Sequence, residues 1–310
     1  MKTKPVLAFL AIAFGLSWLF ALPLWLSGGL GNPWFLVIAL LIMATPAAAA
    51  LLVSRFIDRP TSIPRDLGLW PIRPVRRTLG YAGLGVLLSV AIILVALPIG
   101  ALLGVYPADF VHLSGFQQTI DTTLASVGAP PLPVPIQLLA AAQLLNVLIG
   151  TLINTIPALG EELGWRGFLF PRLLALGPVP AILLSGVIWG AWHAPLILLG
   201  YNYPTATGWL GVLAMIGMCT VVGAIFGWLR IRSRSVWPAA LAHGAFNAAA
   251  GFGLVFAQAG RRIDTLQATI LGWSGWIVPL VIVIVLVATG RFRARPAAPA
   301  RTEDAVGAAQ

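Results

Sequence analysis

Residues 136–159 read IQLLAAAQLLNVLIGTLINTIPAL and contain no Asp, Glu, Lys or Arg. A helix of about 20 apolar residues is long enough to cross the roughly 30 Å hydrocarbon layer of a bilayer. A helix also satisfies its own backbone hydrogen bonds there, where no water can do so. This stretch therefore predicts a transmembrane helix, and the rest of the chain resembles it.

Seven further apolar segments recur between residue 5 and residue 290. No stretch between them is long enough to hold a soluble core of its own. We therefore predict an all-α fold, a polytopic membrane helix bundle of about eight transmembrane helices, in a single domain over residues 1–295. The predicted spans are 5–27, 34–53, 79–103, 136–159, 180–200, 209–229, 236–257 and 269–290.

The composition supports the same class. Hydrophobic residues make up 59% of the chain and charged residues only 9%, whereas an average soluble domain has about 25% charged residues. The net charge of +10 does not indicate a nucleic-acid partner, because the basic residues form short runs between apolar segments. The segment 296–310 is rich in Ala, Pro and charge, which predicts a disordered tail.

The distribution of basic residues predicts the orientation. With a cytoplasmic N-terminus, 17 of the 19 Lys and Arg lie on the cytoplasmic side, and only Arg261 and Arg262 lie outside. The positive-inside rule therefore places both termini in the cytoplasm. We expect an integral protein of a bacterial cytoplasmic membrane. The outside loop 104–135 is rich in Pro, so we expect it to be irregular or partly helical and to cap the bundle.

Two acids differ from the other seven, which lie in loops, at segment edges or in the tail. Glu161 and Glu162 close the fourth apolar segment near its predicted cytoplasmic end. A buried carboxylate there costs several kcal/mol unless it is paired or protonated, so such residues are functional candidates. Arg166 is four residues after Glu162 and can pair with it on a helix. Glu161 points elsewhere and lacks an obvious cation, which suits a general base.

Polar residues in later segments complete the candidate site. His193 and His243 lie in predicted spans, and Asn247 is one helical turn after His243. His243 and Asn247 therefore share a helix face and can direct two hydrogen-bond donors to one point, as in an oxyanion hole. Trp189 precedes His193 by one turn and can form a wall of the site.

The motifs Glu161-Glu162-x-x-Trp165-Arg166, His193 and His243-x-x-x-Asn247 resemble the CPBP family, the CAAX protease and bacteriocin-processing endopeptidases of membranes. The resemblance covers residues 136–257, the expected catalytic core. It implies eight helices around a cavity open to the cytoplasm and the bilayer. Eukaryotic relatives of this type II CAAX prenyl endopeptidase class remove the last three residues of prenylated proteins. The family commonly has Phe where this chain has Trp189, which we expect to change the shape of the cavity.

The resemblance implies peptide hydrolysis by a water that Glu161 activates and His193 helps to hold. It also implies that His243 and Asn247 stabilise the oxyanion, with Glu162 and Arg166 in support. This mechanism needs no cofactor. A zinc site of Glu161, His193 and His243 is the alternative, because family members are often classed as metalloendopeptidases. The absence of a His-Glu-x-x-His run from the sequence argues against it.

The expected partners are the lipid bilayer and a peptide or protein substrate, either membrane-bound or prenylated. Two other functions fit the same residues. A catalytically idle membrane partner or immunity protein could keep the fold without proteolysis. A proton-coupled transporter could use the acids and histidines as a path across the bundle, although the sequence has no apparent inverted repeat.

Overall fold

The computed structural model describes residues 3–206 and 208–293, and these ranges contain helices and no β-strand. The predicted all-α fold is therefore confirmed. The tail 296–310 lies outside the described residues, so its disorder stays a prediction. The helices are α1 (Thr3–Leu26), α2 (Phe35–Val53), α3 (Ile63–Asp66), α4 (Val75–Leu102), α5 (Ser114–Ser126), α6 (Ile136–Glu162), α7 (Phe170–Leu173), α8 (Pro178–Trp192), α9 (Ala194–Ile197), α10 (Leu210–Ser233), α11 (Trp237–Ala249), α12 (Phe252–Val255) and α13 (Ile277–Ala288).

Five helical runs are long and apolar enough to cross a membrane, which supports a polytopic membrane bundle. The described residues place helices in all eight predicted segments, but three of these helices are shorter than a full span. They are α8, α11 and α13, with 15, 13 and 12 residues. The five long runs are Thr3–Leu26, Phe35–Asp58, Val75–Leu102, Ile136–Leu176 and Leu210–Ser233.

The short helices end for identifiable reasons. Helix α8 stops at Trp192 because Pro195 has no amide hydrogen to bond the carbonyl of Ala191. Helix α11 stops at Ala249, just before two glycines, Gly251 and Gly253, which lower the propensity for helix. The predicted spans 180–200 and 236–257 are therefore each divided into a helix and a short helical turn.

Helix α6 continues past its predicted end at residue 159. It reaches Glu162 and passes into a π-helical turn, Leu163–Leu169, in which the amide of Phe170 bonds the carbonyl of Trp165. Helical structure then persists to Leu176. Glu161 and Glu162 are therefore the last two residues of α6, and further helical turns that contain the buried Arg166 follow them.

Helices α10 and α11 form the centre of the bundle. Helix α10 packs on α8, while α11 packs between α4 and α6. Glycines permit these close approaches. A Cβ at Gly186 of α8 would lie 2.5 Å from the Cα of Thr220 in α10, and one at Gly244 of α11 would lie 2.7 Å from the carbonyl oxygen of Thr151 in α6. These contacts fix α6, α8 and α11 around the space that the polar residues share.

The loop after α4 covers one end of the bundle, as expected, and contains the helix α5. The amide of Asp109 bonds the carbonyl of Phe256, and the amide of Gly115 bonds the carbonyl of Ala257. Hydrogen bonds from Ser114 and from the backbone of His112 lower the pKa of the Asp109 carboxyl to about 2. The carboxylate therefore stays ionised and holds the start of α5 at ordinary pH.

The close approach of α8 and α10 predicts the effect of an added methyl group. Gly186→Ala should lower the free energy of unfolding by about 1–3 kcal/mol, because the Thr220 backbone cannot move away easily. Thermal unfolding in detergent measures this effect. The matched control is Gly83→Ala in α4, where a Cβ meets no atom within 4 Å. If both variants unfold at the same temperature, the α8–α10 contact is not tight.

Candidate active site

The carboxylate of Glu162 lies at the end of α6 with 0% of its surface exposed. Its Oε1 accepts a hydrogen bond of 2.8 Å from the Arg166 guanidinium and one of 3.0 Å from His243 Nδ1. The pairing with Arg166 was predicted from the sequence. An oxygen that accepts from the Arg166 guanidinium carries no proton of its own to donate, so His243 Nδ1 donates the second hydrogen bond. His243 Nε2 is therefore the ring nitrogen that remains for chemistry.

Glu161, the adjacent acid, has a different environment. It is buried, and its Oε2 accepts a hydrogen bond of 2.8 Å from the indole nitrogen of Trp189 in α8. Trp189 also lies under the Arg166 guanidinium, whose central carbon is 4.1 Å from the ring centroid. The His243 ring meets the same indole edge to face at 5.4 Å. Trp189 thus orients Glu161 and separates it from the Glu162–Arg166 ion pair.

His193 directly follows α8 and is half-buried. Its Nδ1 lies 2.8 Å from the carbonyl oxygen of Trp189. A carbonyl oxygen only accepts, so Nδ1 must donate, and Nε2 of the neutral ring is left as an acceptor. Such a nitrogen can accept a hydrogen bond from a water molecule. Trp189 therefore contributes to both residues, through its indole to Glu161 and through its backbone to His193.

One cavity of about 410 Å³ joins the predicted residues. Glu161 of α6, His193 after α8 and both His243 and Asn247 of α11 line it, as does Trp189. Glu162 and Arg166 do not line the cavity and stand behind its wall. The structure therefore brings together all four residues predicted to be catalytic and puts the predicted supporting pair beside them.

Two contacts were not predicted from the sequence. The hydrogen bond between His243 and Glu162 joins residues 81 positions apart, and no spacing rule could indicate it. The hydrogen bond from Trp189 to Glu161 was also missed, although a signal existed. A buried Trp usually finds an acceptor for its indole N–H, and an unpaired buried carboxylate is a strong one.

The alternative zinc site would need three donors that converge on one point. Within residues 3–206 and 208–293, no three His, Cys, Asp or Glu side chains are grouped in this way. The hydrogen bonds of these side chains involve Oε2 of Glu161 and Nδ1 of His243, and not Oε1 of Glu161 or Nε2 of His243. The zinc site therefore stays the alternative prediction, which removal of metal by a chelator tests.

The buried ion pair predicts a large loss of stability when one partner is removed. Arg166→Met should lower the free energy of unfolding by about 3–5 kcal/mol, because Glu162 would remain charged and buried. Thermal unfolding in detergent measures the loss, with Arg291→Met, at an exposed position, as the control. The double variant Glu162→Gln/Arg166→Met should recover part of it. A single variant as stable as the control would show that the pair does not hold the site.

Comparisons with known proteins match the part of the chain that holds this site. Residues 142–249 match the family model described as type II CAAX prenyl endopeptidase Rce1-like. CAAX prenyl protease 2 of Methanococcus maripaludis is 32% identical over 79 residues. That alignment covers 24% of this chain and 29% of the relative, so the chain matches less than a third of the relative's length.

The relative comes from an archaeon, so the bacterial source expected from the charge pattern stays a prediction. The matched range contains the Glu161–Arg166 run, His193, His243 and Asn247. It also corresponds closely to the expected core, 136–257. Residues 142–249 are therefore similar to the Rce1-like type II CAAX prenyl endopeptidases, in agreement with the resemblance of the motifs to the CPBP family.

Proposed function

We propose that this chain is an integral membrane endopeptidase that hydrolyses a peptide bond with a water activated by Glu161. The observation that carries the proposal is the single cavity lined by Glu161, His193, His243 and Asn247 in the part of the chain that matches the family. The substrate is a peptide or protein, either membrane-bound or prenylated. The bundle lies in a cytoplasmic membrane with both termini in the cytoplasm.

The first step is the activation of water. Glu161 takes a proton from a water molecule that His193 Nε2 holds by accepting its other hydrogen. The hydroxide attacks the scissile carbonyl carbon and generates a tetrahedral oxyanion. The indole of Trp189 fixes one carboxylate oxygen of Glu161, so the other remains for the water.

The second step is stabilisation of the oxyanion by donors from α11. The Asn247 amide can donate directly, and His243 can donate from Nε2 when its ring is protonated on both nitrogens. The Glu162 carboxylate accepts the hydrogen bond from Nδ1 and so orients the ring. The intermediate then collapses, the C–N bond breaks, and Glu161 returns its proton to the leaving amine.

The side chain of Glu161 gives the main test. Glu161→Gln should keep the fold and lower the rate of cleavage by about 10²–10⁴-fold, because the amide cannot accept the proton. Purified protein in detergent is assayed against prenylated CAAX peptides and a membrane-protein library. The control is Asp121→Asn, which removes an exposed acid of α5.

The same assay with and without a chelator separates the alternatives. Cleavage that persists with chelator and is lost in Glu161→Gln supports the glutamate mechanism. Loss with chelator that zinc restores would favour the metal alternative. Activity of Glu161→Gln within tenfold of the unmodified protein would refute the assignment, and cleavage of no substrate would favour the idle partner.

Asn247 provides an independent test of the oxyanion step. Asn247→Ala should lower kcat by about 10²–10³-fold, with little change in KM, because its amide acts on the transition state. The comparison is Asn154→Ala, which removes another amide at the cavity but one that donates to Gly150 of its own helix. Equal losses in the two variants would leave Asn247 without a special role.

A further inference from the structure

A second cavity, of about 670 Å³, lies between α5, α12 and the segment that follows α12. Arg261 and Arg262 both line it, and the described residues of its wall include no Asp or Glu. It adjoins the catalytic cavity, with which it shares Thr269 and Leu271. None of the residues that we assign to catalysis lines it, so any ligand of this cavity binds at a separate site.

Hydrogen bonds to α5 fix the turn that carries the two arginines. The amide of Ala259 donates to Ser114 Oγ at 3.1 Å, and the amide of Gly260 donates to Gln118 Oε1 at 3.0 Å. The two arginines follow directly in the sequence. Their backbone is therefore held beside α5, and only their side chains need to adjust to a ligand.

The positive charge of this arginine pair is not used within the protein. Neither guanidinium has an ion pair or a side-chain hydrogen bond to any of residues 3–206 and 208–293. The acids of the neighbouring loops and of α5 accept hydrogen bonds from groups close to them in sequence, namely Asp109 from the amide of His112, Asp121 from the side chain of Gln117 and Asp264 from the amide of Leu266. The pair is therefore left for an anion from outside the protein.

Two further groups in the wall can donate to the same anion. Because Gln118 Oε1 already accepts from Gly260, its NH₂ group is the part of the side chain that remains. The hydroxyl oxygen of Thr265 is buried and has no hydrogen-bond partner in the described part of the chain, which is uncommon for a buried polar atom. Guanidinium groups bind phosphate oxygens through paired hydrogen bonds, so the wall suits a phosphate.

The rest of the wall is apolar. Leu254, Ala257 and Ile263 line it, and 63% of the Leu254 side chain is exposed. A soluble phosphate would leave this apolar surface in contact with water, whereas an acyl chain would cover it. The volume also lies in the range of about 300–1,000 Å³ that is typical of sites for larger organic ligands, so a phosphate group alone would leave most of the cavity empty.

We infer that this cavity binds an anionic phospholipid, with its phosphate on Arg261 and Arg262 and its acyl chains along the apolar wall. The arginines follow the apolar segment 236–257 by only a few residues, which places them at the boundary where headgroups lie. Basic pockets beside membrane-spanning helices bind anionic headgroups. The inference does not depend on the proposed proteolysis.

Binding of short-chain lipids tests the site without any need for catalysis. The full chain in a neutral detergent is titrated calorimetrically with dihexanoyl phosphatidylglycerol, with dihexanoyl phosphatidylcholine and with glycerol phosphate, which has the phosphate but no acyl chain. The variant is Arg261→Gln/Arg262→Gln. The matched control is Arg73→Gln/Arg76→Gln, which removes the same charge from exposed positions that line neither cavity. Thermal unfolding checks that each variant is folded.

We expect phosphatidylglycerol to bind more tightly than the other two compounds. Its affinity should fall by about tenfold or more in Arg261→Gln/Arg262→Gln, because hydrogen bonds between charged groups are lost, and should not change in the control. Thr265→Val keeps the shape of the side chain and should weaken binding several-fold, which provides the test if the arginine variant does not fold.

Two results would overturn the inference. The first is an affinity for phosphatidylglycerol that is the same in the unmodified protein and in the cavity variants, which would indicate nonspecific lipid binding. The second is glycerol phosphate that binds as tightly as phosphatidylglycerol, which would identify the occupant as a soluble phosphate ester. Equal affinities for the two lipids would likewise contradict selection of an anionic headgroup.

Discussion

The carboxylate of Glu162 is the constraint on which the site depends. A charge buried in the bilayer is tolerated only when its partners are fixed around it. Arg166 and His243 supply these partners from the π-helical turn and from α11. The guanidinium also lies over Trp189 and 5.4 Å from the ring centre of Phe226, so α8 and α10 are held as well. One buried acid thus fixes the relative positions of α6, α8, α10 and α11, which all line the cavity.

Trp189 distinguishes this chain from the usual family pattern, in which Phe occupies the corresponding position. From the sequence, the exchange was expected to change only the shape of the cavity. In the structure, the indole nitrogen donates to Glu161, a contact that the hydrocarbon ring of Phe could not make. The proposed general base is therefore held by a donor specific to this variant of the motif. Glu161 and Glu162 consequently have separate partners despite being adjacent.

The sequence predicted much of this arrangement because membrane spans and helix spacing are local properties. The apolar segments, the Glu162–Arg166 pair and the polar face of His243 and Asn247 all follow from composition or from a four-residue period. The shortened helices α8 and α11 and the π-helical turn were not predicted. They depend on which backbone groups find partners after packing, as do the contacts of Trp189 and His243. Hydropathy predicts the length of an apolar segment, but it does not predict where the helix within that segment ends.

The packing of Phe9 on Trp165 and Phe168 has a consequence for the membrane itself. The proposed hydrolysis requires water at Glu161, so part of the protein would be hydrated inside the bilayer. A hydrated cavity that crossed the whole bundle would provide a path for protons and other ions. The tightly packed rings of Phe9, Trp165 and Phe168 interrupt that path with a dry layer. Peptide hydrolysis within the bundle would therefore not require an ion leak across the membrane.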